Sequence, residues 1–433
     1  MKYIKRFNVL NEFNNFIFDD TNTPNVSLIE ELEQPENLAF ISLMPHNYSN
    51  DYLTFIPTEN TTFSFTKNGL SYSLDNGQTW TELTANGTTP TISAGEKIMW
   101  KNNIELKPAS YDGIGTFSSD KNFDVQGNIN SLQSGSSLIT DYMFYSMFKN
   151  AKVCNAKHLI LPATKLSYRC YGNMFYNCTS LVTAPELPAT KLSSTCYCGM
   201  FSGCTSLVTA PELPATSLAN SCYSSMFTNC TSLTAAPELP ATTVTHSCYY
   251  NMFYGCTSLT TAPELPATTI DYGCYSCMFQ HCTALTTAPS ILPATTLFSS
   301  EYYSCYDNMF SGCTSLTTAP ELPATTLAAY CYKSMFSGCT SLTSAPELPA
   351  TTLAAYCYSS MFYRCTSLTS APTLPATTLV DSCYSSMFME CTSLTSAPVL
   401  PATTLVNKCY FQMFNNCTLL TSAPVLPATT LAN

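Results

Sequence analysis

Charge is scarce in this chain. Asp, Glu, Lys and Arg make up 10 % of its 433 residues, against about a quarter in ordinary soluble proteins. The deficit is uneven: residues 158–433 hold 6 Lys/Arg and 11 Asp/Glu, whereas residues 1–157 hold 11 and 17. The net charge is −11 with no basic run, so no nucleic-acid partner is expected. Apolar stretches of spanning length are missing too, so no membrane insertion is expected. Met1–Arg6 starts like a signal peptide, but Asn8, Asn11, Glu12, Asn14 and Asn15 interrupt what would be its apolar core. No secretory signal is read there. Arginine is limited to Arg6, Arg169 and Arg364, and His46, His158 and His246 stand in no partner pattern. An arginine cluster around a carboxylate substrate and a Cys/His nucleophile therefore both lack support.

What the chain has instead is repetition. Ten units carry the pattern C-Y-x-x-M-F-x-x-C-T-S-L-T-x-A-P-E-L-P-A-T-T-L, led by Cys170, Cys196, Cys222, Cys248, Cys274, Cys305, Cys331, Cys357, Cys383 and Cys409. The step is 26 residues, except 31 between Cys274 and Cys305. Units this short cannot each bury a core of their own, so they must stack. Stacks of this kind usually bind or space things rather than catalyse.

With the leading Cys numbered zero, the apolar positions are 0, 1, 4, 5 and 8, as in Cys222, Tyr223, Met226, Phe227 and Cys230. That spacing predicts one face of a short helix, with the variable positions 2, 3, 6 and 7 outward. Leu233, Ala236, Leu239 and Val244 anchor an extended return segment. Pro237 and Pro240 each lack a backbone donor, so any parallel strand should be very short, near Leu233–Ala236. Twenty of the 23 cysteines are repeat positions. Eight residues along a helix is about 12 Å, beyond a disulfide's reach. Reduced, buried thiols are expected.

Ahead of the stack, residues 1–47 read as a polar, turn-rich leader and residues 48–125 as a small all-β domain. The runs Tyr52–Ile56, Thr62–Thr66 and Lys97–Trp100 alternate with turns, and Asp75-Asn76-Gly77 marks a hairpin between Leu70–Leu74 and Thr79–Leu83. Residues 126–157 join this domain to the stack at 158–433. Within them Met147-Phe148-Lys149-Asn150-Ala151 echoes M-F-x-x-C as a degenerate capping repeat. The fold class expected is a mixed α/β solenoid of period 26 preceded by a small all-β domain. At the other end the chain stops within a repeat, and Leu420, Leu426 and Leu431 are expected to be covered by another copy, by a partner protein or by a host ligand, with a homo-oligomer the first choice.

M-F-x-x-C-T-S-L, for example Met335–Leu342, resembles the A-F-x-x-C-x-S-L core of BspA-type leucine-rich repeats, with Met for Ala and a longer return segment. The resemblance implies a solenoid that adheres or binds ligand. The leader segment Thr23–Leu28, with Tyr72–Trp80 and Gly113–Phe117, is similar to structural proteins of crAss-like and other phages infecting Bacteroidales. That likeness implies an anchoring segment, Pro24, Asn25, Val26, Ser27 and Leu28, that attaches to capsid or tail proteins of a virion.

Three patterns carry candidate chemistry. Ser73-x-Asp75-x-Gly77-x-Thr79-Trp80 fits the Asp-box known from sialidase propellers, but it occurs once and reads as a structural hairpin. Cys274, Cys277, His281 and Cys282 are tight thiol and imidazole neighbours, yet two of them are ordinary repeat positions and four ligands on one short helix cannot easily surround a tetrahedral ion; no metal and no cofactor is expected. The Tyr/Met/Phe ladder has the spacing of core. Aromatics off the ladder are the candidate ligand contacts: Tyr250, Tyr254, Phe298, Tyr302, Tyr303, Tyr330, Tyr356 and Tyr363, with Tyr176 and Phe411. The expectation is a non-enzymatic virion fibre or decoration protein whose stack binds a host surface glycan or protein. The alternative is a bacterial surface adhesin, and a glycan-acting enzyme comes third.

Overall fold

The computed structural model describes residues 52–102, 108, 113–133, 139–299 and 304–430. The expected leader 1–47 with its anchoring residues Pro24–Leu28, the contacts Tyr302 and Tyr303, and Leu431 lie outside these. Residues 52–433 form one compact unit.

Among the described residues seven strands open this unit: β1 (Leu53–Pro57), β2 (Ser64–Phe65), β3 (Leu70–Ser73), β4 (Thr81–Leu83), β5 (Ile98–Asn102), β6 (Phe117–Ser118) and β7 (Phe123–Asn128). The hairpin expected across Asp75–Gly77 pairs Leu70 with Leu83 and Tyr72 with Thr81. β8 (Val153–Ile160) joins β7 in parallel, which gives a six-stranded sheet in the order β4-β3-β5-β1-β7-β8. β8 is also the first rail of the stack, since Asn155 bridges Thr183 in parallel. The domain edges expected at 125/126 and 157/158 fall inside β7 and β8.

The repeats correct the expected helices. Among the described residues the only helical element is a 3₁₀ turn at Ile129–Leu132. Each C-Y-x-x-M-F-x-x-C segment is a run of turns in which positions 3 and 7 take positive φ, joined in most repeats by position −1. Ser221, Ser225 and Asn229 sit at 54°, 56° and 57°. Half of the amides close turns within the run, as Met226 N–H donates to Tyr223 O (3.2 Å) and Cys230 N–H to Phe227 O (3.0 Å). The alternate amides reach the next repeat: Tyr223 N–H to Cys248 O (3.2 Å), Ser225 to Tyr250 O (2.8 Å), Phe227 to Met252 O (2.9 Å) and Asn229 to Tyr254 O (2.7 Å). An α-helix would satisfy these amides internally and leave neighbouring repeats joined by side chains alone. The apolar period here is four residues. A helix would rotate such a stripe by about 40° at each step, whereas the turn run keeps it on one face.

Return segments contribute narrow parallel rails. Thr183, Thr209 and Ala235 bridge in succession, within the stretch where a short strand is expected. β9 (Thr243–Val244) and β10 (Thr269–Ile270) pair on a second rail. Threonine side chains reinforce the repeat-to-repeat contact: Thr231 Oγ1 donates to Thr205 O (3.3 Å) and Thr286 Oγ1 to Thr260 O (3.1 Å).

The core is continuous from sheet to stack. Position 1 tyrosines stack on each other, as do position 5 phenylalanines; Tyr223–Tyr249 centroids lie 6.1 Å apart and Phe227–Phe253 centroids 5.6 Å apart. The phenylalanine column runs back through Phe148 to Phe117 (5.8 Å) and Phe55. Each such ring pair contributes about 0.5–1.5 kcal/mol beyond its burial. Residues 142–151 form a further turn run, with Phe148 N–H on Met174 O (2.8 Å), so the degenerate repeat continues the ladder. The sheet side then meets it through Phe117 N–H on Met147 O (2.8 Å). Across the longer step between Cys274 and Cys305 the ring columns continue, with Tyr275–Tyr306 centroids 5.6 Å and Phe279–Phe310 centroids 5.5 Å apart, and Ser299 and Ser304 form an antiparallel bridge.

Candidate binding surface

Cysteine has a structural task. At position 8 each thiol is buried and donates to the carbonyl of the position 5 phenylalanine in the preceding repeat: Cys230 Sγ to Phe201 O (3.1 Å), Cys282 to Phe253 O (3.0 Å) and Cys339 to Phe310 O (3.1 Å). All 23 cysteines are free thiols. Burial pushes Cys230 and Cys282 up to about 12, so these thiols stay protonated and are poor nucleophiles. Cys277 and His281, from the thiol/imidazole group, occupy left-handed positions (φ 56° and 62°). Among the described residues no group of three or more His, Cys, Asp or Glu side chains is arranged to hold a metal ion.

The Asp-box is closed on itself. Ser73 Oγ donates to Asp75 (2.7 Å), Gly77 N–H donates to Ser73 Oγ (2.9 Å), and Asp75 accepts both the amide (2.9 Å) and hydroxyl (2.5 Å) of Thr79. The Thr79 hydroxyl and amide hold the Asp75 carboxyl down at about 2. Trp80 Nε1 donates to Gly77 O (3.0 Å). Every recognisable group of the motif is engaged in holding the hairpin.

The outward positions of the turn runs make the varied surface. Side chains at one position in successive repeats are nearest neighbours, so the surface is read down columns 26 residues apart. Tyr330 and Tyr356, both half-buried at position −1, stack with centroids 5.0 Å apart and planes 5° apart. Lys333 Nζ lies 5.5 Å from the Tyr330 ring centroid. In the position 6 column, Tyr363 donates to Glu390 (3.2 Å), and Arg364 covers the Tyr363 ring (5.0 Å) while pairing with Glu390 at 2.7 Å. Tyr254 meets His281 edge-on at 5.5 Å. Tyr250 is half-buried at position 2, and its carbonyl is tied to Ser225. Phe298, exposed, flanks the insert, with its amide 3.2 Å from Cys305 Sγ. The described candidate aromatics therefore occupy several columns, and among them only Tyr330 and Tyr356 join into one platform.

Reading along the chain missed Asp381, Ser382 and Lys408, which share the Tyr330–Tyr356 column or adjoin it. The signal was present as the 26-residue register. The opposite edge has a different character. Glu186, Glu212, Glu238, Glu264, Glu321 and Glu347 form an exposed column, and the described ion pairs include none of them. That column disfavours anionic partners on the return edge.

The model of the BspA-type leucine rich repeat region matches six copies, over residues 139–286, 198–318 and 304–426. No curated protein and no solved structure matches the chain. Among the described residues no helix is long and apolar enough to cross a membrane.

Proposed function

The chain belongs to the BspA-type leucine-rich repeat family, and from that premise we propose that it is a surface-exposed, non-enzymatic adhesin that binds its ligand through the outward columns of the turn runs. One observation carries this reading. Within a single chain the inward positions barely change, whereas positions −1, 2, 3, 6 and 7 hold Tyr, Lys, Arg, Asp, Glu, His, Asn and Ser in different repeats. Packing explains the sameness of the first set and leaves the second free to recognise something.

The family match begins at residue 139, and the virion-fibre reading rests on segments that precede it. Of those, Tyr72–Trp80 is occupied in closing its own hairpin. Adhesion is therefore the better supported role. The test is retention of fluorescently labelled full-length protein on intact host cells and on immobilised matrix glycoproteins. Saturable retention, competed by unlabelled protein, is expected. Absence of retention on every surface, or turnover of a glycan panel, would overturn the proposal.

A further inference from the structure

One step of the return edge stands open. Parallel bridges run from Thr183 through Thr209 to Ala235, and again from Thr261 through Thr287 to Thr318, with none between Ala235 and Thr261. On one side of that gap the Thr234 amide and hydroxyl both donate to Val208 O (3.3 and 3.4 Å), and on the other those of Thr286 donate to Thr260 O (3.0 and 3.1 Å). Thr260 makes no such bond to Thr234. The same two repeats stay joined elsewhere, through the pairing of β9 with β10 and through Phe227 N–H on Met252 O (2.9 Å). The parted rail leaves an open groove of about 510 Å³ between closed neighbours. Ala236, Pro240 and Pro263 give it apolar walls, and the exposed Glu238 and Glu264 line it too. Ser290 fixes the Glu264 carboxylate, donating to it from its amide (3.1 Å) and its hydroxyl (2.9 Å). Between Lys191 and Lys333 the sequence has no lysine or arginine. The repeats on either side of the groove therefore offer neither residue to the two carboxylates.

We propose that this groove docks an arginine side chain carried on an extended segment of a protein partner. Charge complementarity selects a cation, and the chain itself supplies none there. The aliphatic stem lies along the proline and alanine walls. The planar guanidinium, with five donors, spans two carboxylates one repeat apart, where a lysine ammonium is a point charge. The Thr234 carbonyl and Thr260 amide, unpaired across the parted rail, are available to the segment's main chain. Because the two repeats are pinned on both sides of the groove, little ordering is needed to fill it. The groove lies on the return edge, apart from the outward columns, and stands independently of the adhesin reading.

Isothermal titration of the full-length protein tests it with acetyl-Ala-Val-Arg-Val-Ala-amide and with the same peptide carrying Lys or Glu in place of Arg. The arginine peptide should bind saturably, the lysine peptide more weakly and the glutamate peptide not at all. Glu238→Gln and Glu264→Gln should each weaken binding by about tenfold, equivalent to about 1.4 kcal/mol. Ala235→Phe, which fills the groove without changing charge, should abolish it. The glutamine variants keep the side chain's shape at exposed positions and so guard against a folding defect in the phenylalanine variant. Glu186→Gln, in the same column beside the closed Thr183–Thr209 step, should leave binding unchanged. Absence of binding by the arginine peptide at millimolar concentration, or binding that survives Ala235→Phe, would overturn the groove. An equal loss in Glu186→Gln would reduce the effect to the charge of the whole column, and equal binding of the lysine peptide would overturn the assignment to arginine.

Discussion

Replacing Gly338 by alanine distinguishes a turn ladder from a helix by the sign of the effect. Gly338 is position 7 of its repeat and has φ +74°. A Cβ built there meets nothing closer than Gly312 Cα and N at 3.8 Å, so there is no clash to absorb. The remaining cost is the left-handed backbone, about 1–2 kcal/mol for an L-residue with a Cβ. It is offset by the about 0.4–1 kcal/mol that alanine removes from the unfolded chain's entropy. The net expectation is a loss of about 1 kcal/mol. In a helix the same change would stabilise by about 0.5–1 kcal/mol. Gly338→Asn should be near neutral, because asparagine tolerates this conformation and already occupies the equivalent Asn229 and Asn416 at φ 57° and 59°. Thermal and urea unfolding of the three proteins measures the order. A Gly338→Ala variant more stable than the parent would refute the left-handed assignment.

Three further outcomes are expected from the core and the outer columns. Thiol titration under non-reducing conditions should find 23 reactive thiols after denaturation and, in the native protein, slow reaction confined to the half-buried Cys154, Cys198 and Cys277; Cys339→Ala should cost about 1–2 kcal/mol through lost packing and a lost carbonyl contact, and blocked repeat thiols would contradict the ladder. Tyr332→Phe keeps its ring stacks at 5.7 and 5.9 Å and removes a buried hydroxyl without a partner, so stability should hold or rise by about 1 kcal/mol; a loss of that size would mean the hydroxyl is satisfied. Asp307 is raised from 3.8 to about 6 by burial, against the opposing pull of Lys333; a raised native value stabilises the fold below about pH 4 and loses that contribution as pH rises through 6, so Asp307→Asn should flatten stability against pH in that window and gain up to about 3 kcal/mol at pH 7, and parallel pH curves for the two proteins would argue against it.

Stacking was legible in the sequence because a 26-residue unit has no other way to bury Tyr223, Met226 and Phe227. The short rail near Ala235 was legible too, because Pro237 and Pro240 limit any longer strand. The turn runs were not, since positions 0, 1, 4, 5 and 8 satisfy a short helix as well as a four-residue turn period. The deciding residues were the ones set aside as variable. Position 7 holds Asn177, Gly203, Asn229, Gly255, Gly312 and Gly338, and position 3 holds Asn173, Gly199 and Asn251. Asparagine and glycine recurring every fourth residue signal left-handed backbone, and they weaken a helix. Among the candidate contacts, each tyrosine was visible singly. That Tyr330 lies against Tyr356, and that Ser382 comes next in their column, emerges only once residues 26 apart are known to touch.

Far-UV circular dichroism of the full-length protein addresses the backbone of residues 142–417 most directly. A ladder of left-handed turns shared between repeats should give no helical double minimum, and unfolding should remove a turn- and strand-like spectrum. A clear α-helical signature that melts with the stack would contradict the ladder, and with it the columns on which the binding surface is built.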